Sequence, residues 1–251
     1  MWSYIWHTFF FDPVYNSLVF FIDVVPGGDV GLAIVATVIF IKIVMLPLSI
    51  KVTKMQVVMR ELDPKIKQLK KDVPDKQEQA RAMMELYKEA KINPLSSVFL
   101  MFIQFPIIIA LYLTVSNGAG FPFPDINVDL LYSFVMRPEA PTMIMLGFFD
   151  ITLKSLPLAL LAGATQFLHV HLSMPAPTPK KEGDEPSLKE DFARSMQMQM
   201  RYIMPIIIVV IAYTLSAAIA LYFTVSNLMA IAQEFVVRRH RPATEKIEEE
   251  A

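Results

Sequence analysis

A single lysine carries most of the chemistry open to this chain. Lys42 lies eleven residues into the apolar block 31–50, near mid-membrane if that block is a span. An ammonium there costs about 2.5–3.5 kcal/mol on insertion scales, which makes it a functional-site candidate by default. The bland alternatives are snorkelling to an interface or pairing with a buried acid. No other apolar block holds an Asp or Glu in its interior, so a fixed acid partner is not expected.

Polar stripes at helical spacing accompany this lysine. Ser49, Thr53 and Gln56 continue its face; Ser97 and Gln104 share another, as do Gln166, His169 and Ser173, and then Tyr222, Ser226 and Gln233. Taken alone, each stripe reads as interhelical hydrogen-bond glue. Converging on an unpaired lysine, they suggest a wet cavity inside a helical bundle. Catalysis has little to build on. Cysteine is absent, which removes thiolate chemistry, disulfides and thiolate-held metals. His169 and His171 stand two apart and diverge on a helix instead of chelating a metal. There is no His-Glu-x-x-His, Gly-x-Ser-x-Gly or Gly-rich phosphate loop, so neither an enzyme nor a cofactor is expected.

The elements that position these residues follow from hydropathy and charge. The chain is 54% hydrophobic and 19% charged, far from a soluble domain of its length. A span needs about 20 apolar residues. Blocks 31–50, 94–116 and 153–172 qualify, while 202–237 is apolar for 36 residues, too long for one crossing. Residues 51–93 hold eleven Lys/Arg, 173–201 five and 238–251 four, whereas the first 30 residues hold none. These segments share one side only if 202–237 crosses twice, turning near Ser216, and the positive-inside rule makes that side cytoplasmic.

The expected fold class is therefore all-α: a polytopic bundle of five transmembrane helices (31–50, 94–116, 153–172, 202–215 and 217–237). Residues 1–30, aromatic at the start, form an extracytoplasmic interfacial helix ending at Pro26-Gly27-Gly28. They lack the basic region of a secretory signal. Residues 51–93 form a cytoplasmic helical hairpin, with Asp63-Pro64 capping and restarting its first helix and 72–75 as the turn. Its seven acids beside eleven bases make a solvated surface likelier than a nucleic-acid site. Residues 117–152 are an extracytoplasmic loop, 173–201 a cytoplasmic loop with a flexible linker at 174–190, and 238–251 a cytoplasmic tail. An octapeptide echo links 110–117 to 220–227, as an inverted repeat would.

Several motifs resemble the YidC/Oxa/Alb membrane protein insertases. Gly31-Leu-Ala-Ile34 with Lys42-Ile-Val-Met-Leu-Pro-Leu48 is similar to that family's first core span. Met83-Met-Glu-Leu-Tyr-Lys88, Asn93-Pro-Leu95 and the run from Ile103 to Tyr112 resemble the hairpin exit and second span. Leu156-Pro-Leu158 with Gly163-Ala-Thr165, and Leu221-Tyr-Phe-Thr-Val-Ser-Asn-Leu228, resemble the third and fifth. The likeness covers residues 9–240 in order. It implies an insertase and chaperone of the bacterial plasma (inner) membrane, N-terminus outside and C-terminus inside, working through a positively charged hydrophilic groove. Its groove residues here would be Lys42, Ser49, Gln104, Gln166, His169, Tyr222, Phe223 and Ser226, with no cofactor or metal. Client membrane proteins are the implied partners, with ribosome–nascent chains and the Sec translocon as further ones to test.

The departures are specific. The family's usual groove arginine is Lys42, which keeps the charge and loses the planar five-donor fork. Its usual Pro-Ala/Ser-Gly turn is Ser216-Ala-Ala218. The basic tail ends in Glu248-Glu-Glu250. The rival reading is a small solute transporter or channel with Lys42 as its anion site, which leaves the long hairpin without a role. Because the chain lacks cysteine, the topology is directly testable. Asn127→Cys should react with an impermeant maleimide on intact cells and Gln68→Cys should not; the reverse pattern overturns the orientation.

Overall fold

The computed structural model describes residues 2–91, 96–116, 123–173 and 198–239, with Gly120 and Ser195 besides. The tail beyond 239, the linker at 174–190 and the Asn93-Pro-Leu95 motif lie outside the described residues.

The chain is mostly helical. It opens with α1 (Trp2–Trp6), a π-helical turn (His7–Phe11) and α2 (Asp12–Val24), which run on without leaving helical dihedrals. One face of this stretch is buried: Phe11, Val14, Tyr15, Leu18, Val19 and Ile22 join the core, while Tyr4, Phe9, Phe20 and Val24 point outward. Pro26–Gly28 turns the chain. Gly28 has φ +62°, and a Cβ there would lie 2.5 Å from the Ala140 carbonyl oxygen. Only glycine fits.

The block 31–50 is not one straight helix. It divides into α3 (Val30–Val44) and the start of α4 (Leu46–Asp72), meeting at Met45 with a 65° bend. The cause is Pro47, which cannot donate to the Ile43 carbonyl and crowds the residue before it. In contrast, Asp63-Pro64 does not restart a helix, because α4 runs through it. Pro64 is exposed on this helix. The helix ends at Asp72, and Asp75 caps α5 (Lys76–Glu89) by accepting from the Gln77 amide at 3.1 Å. Helix α6 (Ser96–Ser116) follows.

The segment 123–155 forms a cap on which several helices end. Asn16, 2% exposed, donates to the Leu130 carbonyl at 2.9 Å and accepts from the Tyr132 amide at 2.6 Å. The Tyr15 hydroxyl accepts from the Asn127 amide at 2.8 Å. Asp29 caps α3 through the Leu32 amide at 3.0 Å and accepts from the Leu146 amide at 2.7 Å. The cap contains a short antiparallel hairpin, β1 (Ile144–Met145) with β2 (Phe149–Asp150), a small departure from an all-α chain. All of these bonds satisfy backbone groups that would be costly to bury unpaired.

Helix α7 (Leu156–Ser173) packs between α8 (Met204–Leu215) and α9 (Ala217–Arg239). A π-helical turn, Gln199–Ile203, leads into α8. The division between α8 and α9 is one extended residue, Ser216 (φ −167°, ψ 165°). No Gly or Pro is needed, because the first amides of α9 find other acceptors: Ala217 donates to Leu153 at 2.8 Å and Ala218 to Ile151 at 3.0 Å. By length and composition α7 and α9 are each able to cross a membrane, and α3 with the start of α4 qualifies as a bent pair. Gln104–Ser116 and Gln199–Leu215 are shorter apolar helices.

Gly163 sets the α7–α8 distance. A Cβ there would meet Val209 Cγ2 at 2.2 Å and the Pro205 carbonyl oxygen at 3.1 Å. Valine is branched at Cβ and cannot swing clear, so Gly163→Ala should cost about 1–3 kcal/mol by overpacking. Thermal unfolding in a mild detergent should show the loss, and Val209→Ala in the same chain should restore most of it. A Gly163→Ala protein as stable as the parent would mean that the two helices part freely.

Candidate functional site

Three helices deliver side chains to one point. Lys42, in the last turn of α3, donates from Nζ to Gln104 Oε1 of α6 at 3.1 Å. The Gln104 amide nitrogen then donates to the Tyr222 hydroxyl and, at 3.4 Å, to Ser226 Oγ, both on α9. The glutamine is thus a relay, its carbonyl facing the cation and its amide facing two hydroxyls. Tyr222 and Ser226 are buried and lie one helical turn apart, so α9 presents both together.

The break at Met45 changes what surrounds the lysine. Lys42 is close to the C-terminal end of α3 and not in the middle of a long helix. Peptide dipoles there sum to a partial negative charge, a favourable setting for a cation. Among the described residues no carboxylate forms an ion pair with Lys42. The cation is held by dipoles alone.

A second cluster lies beyond the bend. Ser49 Oγ donates to Gln233 Oε1 at 2.8 Å, and Gln233 Nε2 donates to Thr53 Oγ1 at 2.8 Å. This bracket ties the start of α4 to α9 and continues the Lys42 stripe. His169 of α7 is half-buried and within electrostatic reach of the Lys42 ammonium. Gln166 is half-buried on the same helix and bonds to none of these groups. Phe223 turns away from the polar cluster into the apolar core, its ring edge-on to Tyr222 at 5.5 Å. The side chains of Ser97 and Gln56 lie outside the described residues.

Two polar positions escaped the sequence reading. Asn227 is buried and donates from Nδ2 to Thr165 Oγ1 at 3.3 Å, clasping α9 to α7. Its signal was a lone Asn in an apolar block, a hydrogen-bonding residue that must find a partner in lipid. Arg201 is also buried; it sits at the edge of an apolar block, where a basic residue reads as solvated loop.

The fold and site define a helical membrane protein with a cation held where three packed helices meet. Residues 21–245 match the 60Kd inner membrane protein family. The chain is 33% identical over 222 residues to the membrane protein insertase YidC of Francisella tularensis subsp. novicida (strain U112), and equally to those of subsp. tularensis (strain SCHU S4) and subsp. holarctica (strain LVS). The alignment takes in 87% of this chain and 34% of each relative. The chain belongs to the 60Kd inner membrane protein family, that is, to the YidC/Oxa/Alb family. It spans about a third of the length of the curated relatives it matches.

The relay can be measured as a coupling. Gln104→Leu strands a charge that has lost its acceptor and should cost about 1–3 kcal/mol of stability. Lys42→Met removes the charge itself. The double variant should be more stable than the sum of the single losses allows, by about 1 kcal/mol or more. Strictly additive unfolding free energies would mean that Lys42 and Gln104 do not act as a pair.

Proposed function

We propose that this chain is a membrane protein insertase that receives the polar part of a client in an intramembrane groove around Lys42. The observation that carries the reading is the lysine itself: a cation inside an apolar helical bundle, with no acid paired to it among the described residues and three dipolar side chains linked behind it. The names of the relatives support the same activity. Around the cluster, Ile43, Val44 and Leu46 are exposed apolar surface, suited to a client helix that slides toward lipid.

The physical task is to lower a desolvation barrier. Polar groups entering hydrocarbon lose their water, at several kcal/mol for each unsatisfied group. A hydrated recess that reaches partway through shortens that path. Short helices serve the same end. Gln199–Leu215 holds 17 residues, roughly 26 Å at about 1.5 Å per residue, against a hydrocarbon core about 30 Å thick. Such a mismatch thins the bilayer locally.

In this proposal five helices span the membrane, the N-terminus and the 123–155 cap lie outside, and α4–α5 project into the cytoplasm to meet clients. Ser49, Tyr222 and Ser226 line the groove with Lys42 and Gln104; His169 and Gln166 face it from α7, and Phe223 supports its wall. The membrane is the plasma membrane of a bacterium. Clients are membrane proteins with short translocated tails, delivered alone, by ribosomes or beside a Sec translocon.

The decisive measurement is insertion of a single-span client carrying zero, one or two acids in its translocated tail, with insertase levels held equal. Lys42→Arg should stay active. Lys42→Glu should lose most insertion of the two-acid client, by about tenfold or more, and much less of the uncharged one, since attraction becomes repulsion. Lys42→Ala should fall between. Equal insertion by all variants across the series would sink the groove-charge reading; altered anion uptake with normal insertion would favour a transporter.

A further inference from the structure

Lys42 is half-buried, and a second cation is buried more completely. Arg201, in the π-helical turn ahead of α8, is 6% exposed, yet among the described residues it forms no ion pair. Among those residues its one polar contact is between Nη2 and Nδ1 of His171 at 3.1 Å, and its Nε finds no hydrogen-bond partner. A guanidinium can only donate, so His171 Nδ1 accepts and its ring is neutral in this pairing. Among the described residues, then, a buried guanidinium faces a neutral imidazole with no counter-charge. Breaking or omitting one half of a buried ion pair is costly, so a site of this kind calls for an anion.

Position says which anion. Arg201 stands fifteen residues before Ser216, and His171 fifteen after Leu156, each roughly 22 Å along its helix at about 1.5 Å per residue. Both helices start from the same end, because the amides of Ala217 and Ala218 bond to Leu153 and Ile151. The pair therefore lies on the side away from the cap, roughly 22 Å along helices set against a hydrocarbon core about 30 Å thick, toward the opposite membrane–water boundary. Aromatic rings mark that boundary: Phe167 lies against His171 at 5.8 Å and against Tyr202 at 6.3 Å, with Phe167 and Tyr202 both exposed. Such rings settle at headgroup level.

We infer that Arg201 and His171 form a site for the phosphate of an anionic lipid headgroup in the leaflet away from the cap. Arg201 supplies the charge and planar donors suited to phosphate, the His171 ring supplies a second donor, and the Phe167–Tyr202 pair lies along the acyl chains. On the topology proposed above this is the cytoplasmic leaflet. The site is independent of the Lys42 groove and of any client.

The full chain, purified in a neutral detergent, is tested by thermal unfolding with added phosphatidylglycerol, phosphatidylcholine or inorganic phosphate. Phosphatidylglycerol should raise the midpoint by roughly 4–8 °C at saturation, and phosphatidylcholine should not. Arg201→Gln should lose that difference. His171→Asp places a carboxylate beside the guanidinium; it should raise the midpoint without lipid and abolish the response to phosphatidylglycerol. This variant keeps the proposal open to refutation should Arg201→Gln not fold. Equal shifts from both lipids, or a phosphatidylglycerol shift that survives His171→Asp, would overturn the site. An equal shift from inorganic phosphate would overturn the lipid as its occupant.

Discussion

A cation inside an apolar helical bundle, with no acid paired to it among the described residues, has to be held by dipoles, and much of the architecture follows from that constraint. Inserting Lys42 costs about 2.5–3.5 kcal/mol. A hydrogen bond to a charged group returns about 1.5–3 kcal/mol, and the end of a helix about 0.3–1, up to about 2 when partly buried. Gln104 and the C-terminal end of α3 together offset the cost approximately, the charged hydrogen bond carrying the larger share. The bend at Met45 therefore belongs to the site: a helix running straight through 31–50 would leave the lysine with one amide. Gln104 needs support in turn, because its own amide nitrogen must be satisfied away from water, and Tyr222 and Ser226 supply it. One charge thus ties α3, α6 and α9 together.

The opposite end obeys the same rule through backbone groups. Asn16, Tyr15 and Asp29 each bind amides or carbonyls of the 123–155 cap, and the first amides of α9 bond to the segment leading into α7. Each of these bonds joins residues distant in sequence, so the cap fixes the spacing of α2, α3, α7 and α9 at one end. The Lys42 end has side-chain contacts instead, which leave a charge available. In the proposed orientation this asymmetry makes the outer end closed and the polar end receptive.

Much of this was legible in the residues. Lys42, Gln104, Tyr222 and Ser226 were picked out by an intramembrane charge and by helical spacing, and the structure joins all four. The division at Ser216 came from charge distribution alone, since the helix break has no local sequence signal and depends on distant carbonyls. Local chemistry was misjudged at two prolines. Pro47 was absorbed into an apolar run although it breaks the helix, and Pro64 was given a break that a hydrated helix does not need. Phe223 is a groove residue only through the family resemblance; adjacent residues on a helix point about 100° apart, and its ring packs into the apolar core beside Tyr222. Arg201 could not be found by hydropathy, because its burial arises only when α7 and α8 pack.

The repeated octapeptide shows where motif ends and site begins. In both copies the threonine bonds back to the alanine carbonyl one turn earlier, Thr114 to Ala110 and Thr224 to Ala220, each at 2.8 Å. Both alanines are fully buried, so the repeat encodes a small-residue packing face with its hydroxyl satisfied locally. The tyrosines part company: Tyr222 is 2% exposed and bound to Gln104, whereas Tyr112 is 37% exposed. The same letters therefore give the same helix and different chemistry. What distinguishes Tyr222 is the arrival of Gln104 from one helix and Lys42 from another, so the site is a property of the junction and not of the repeat.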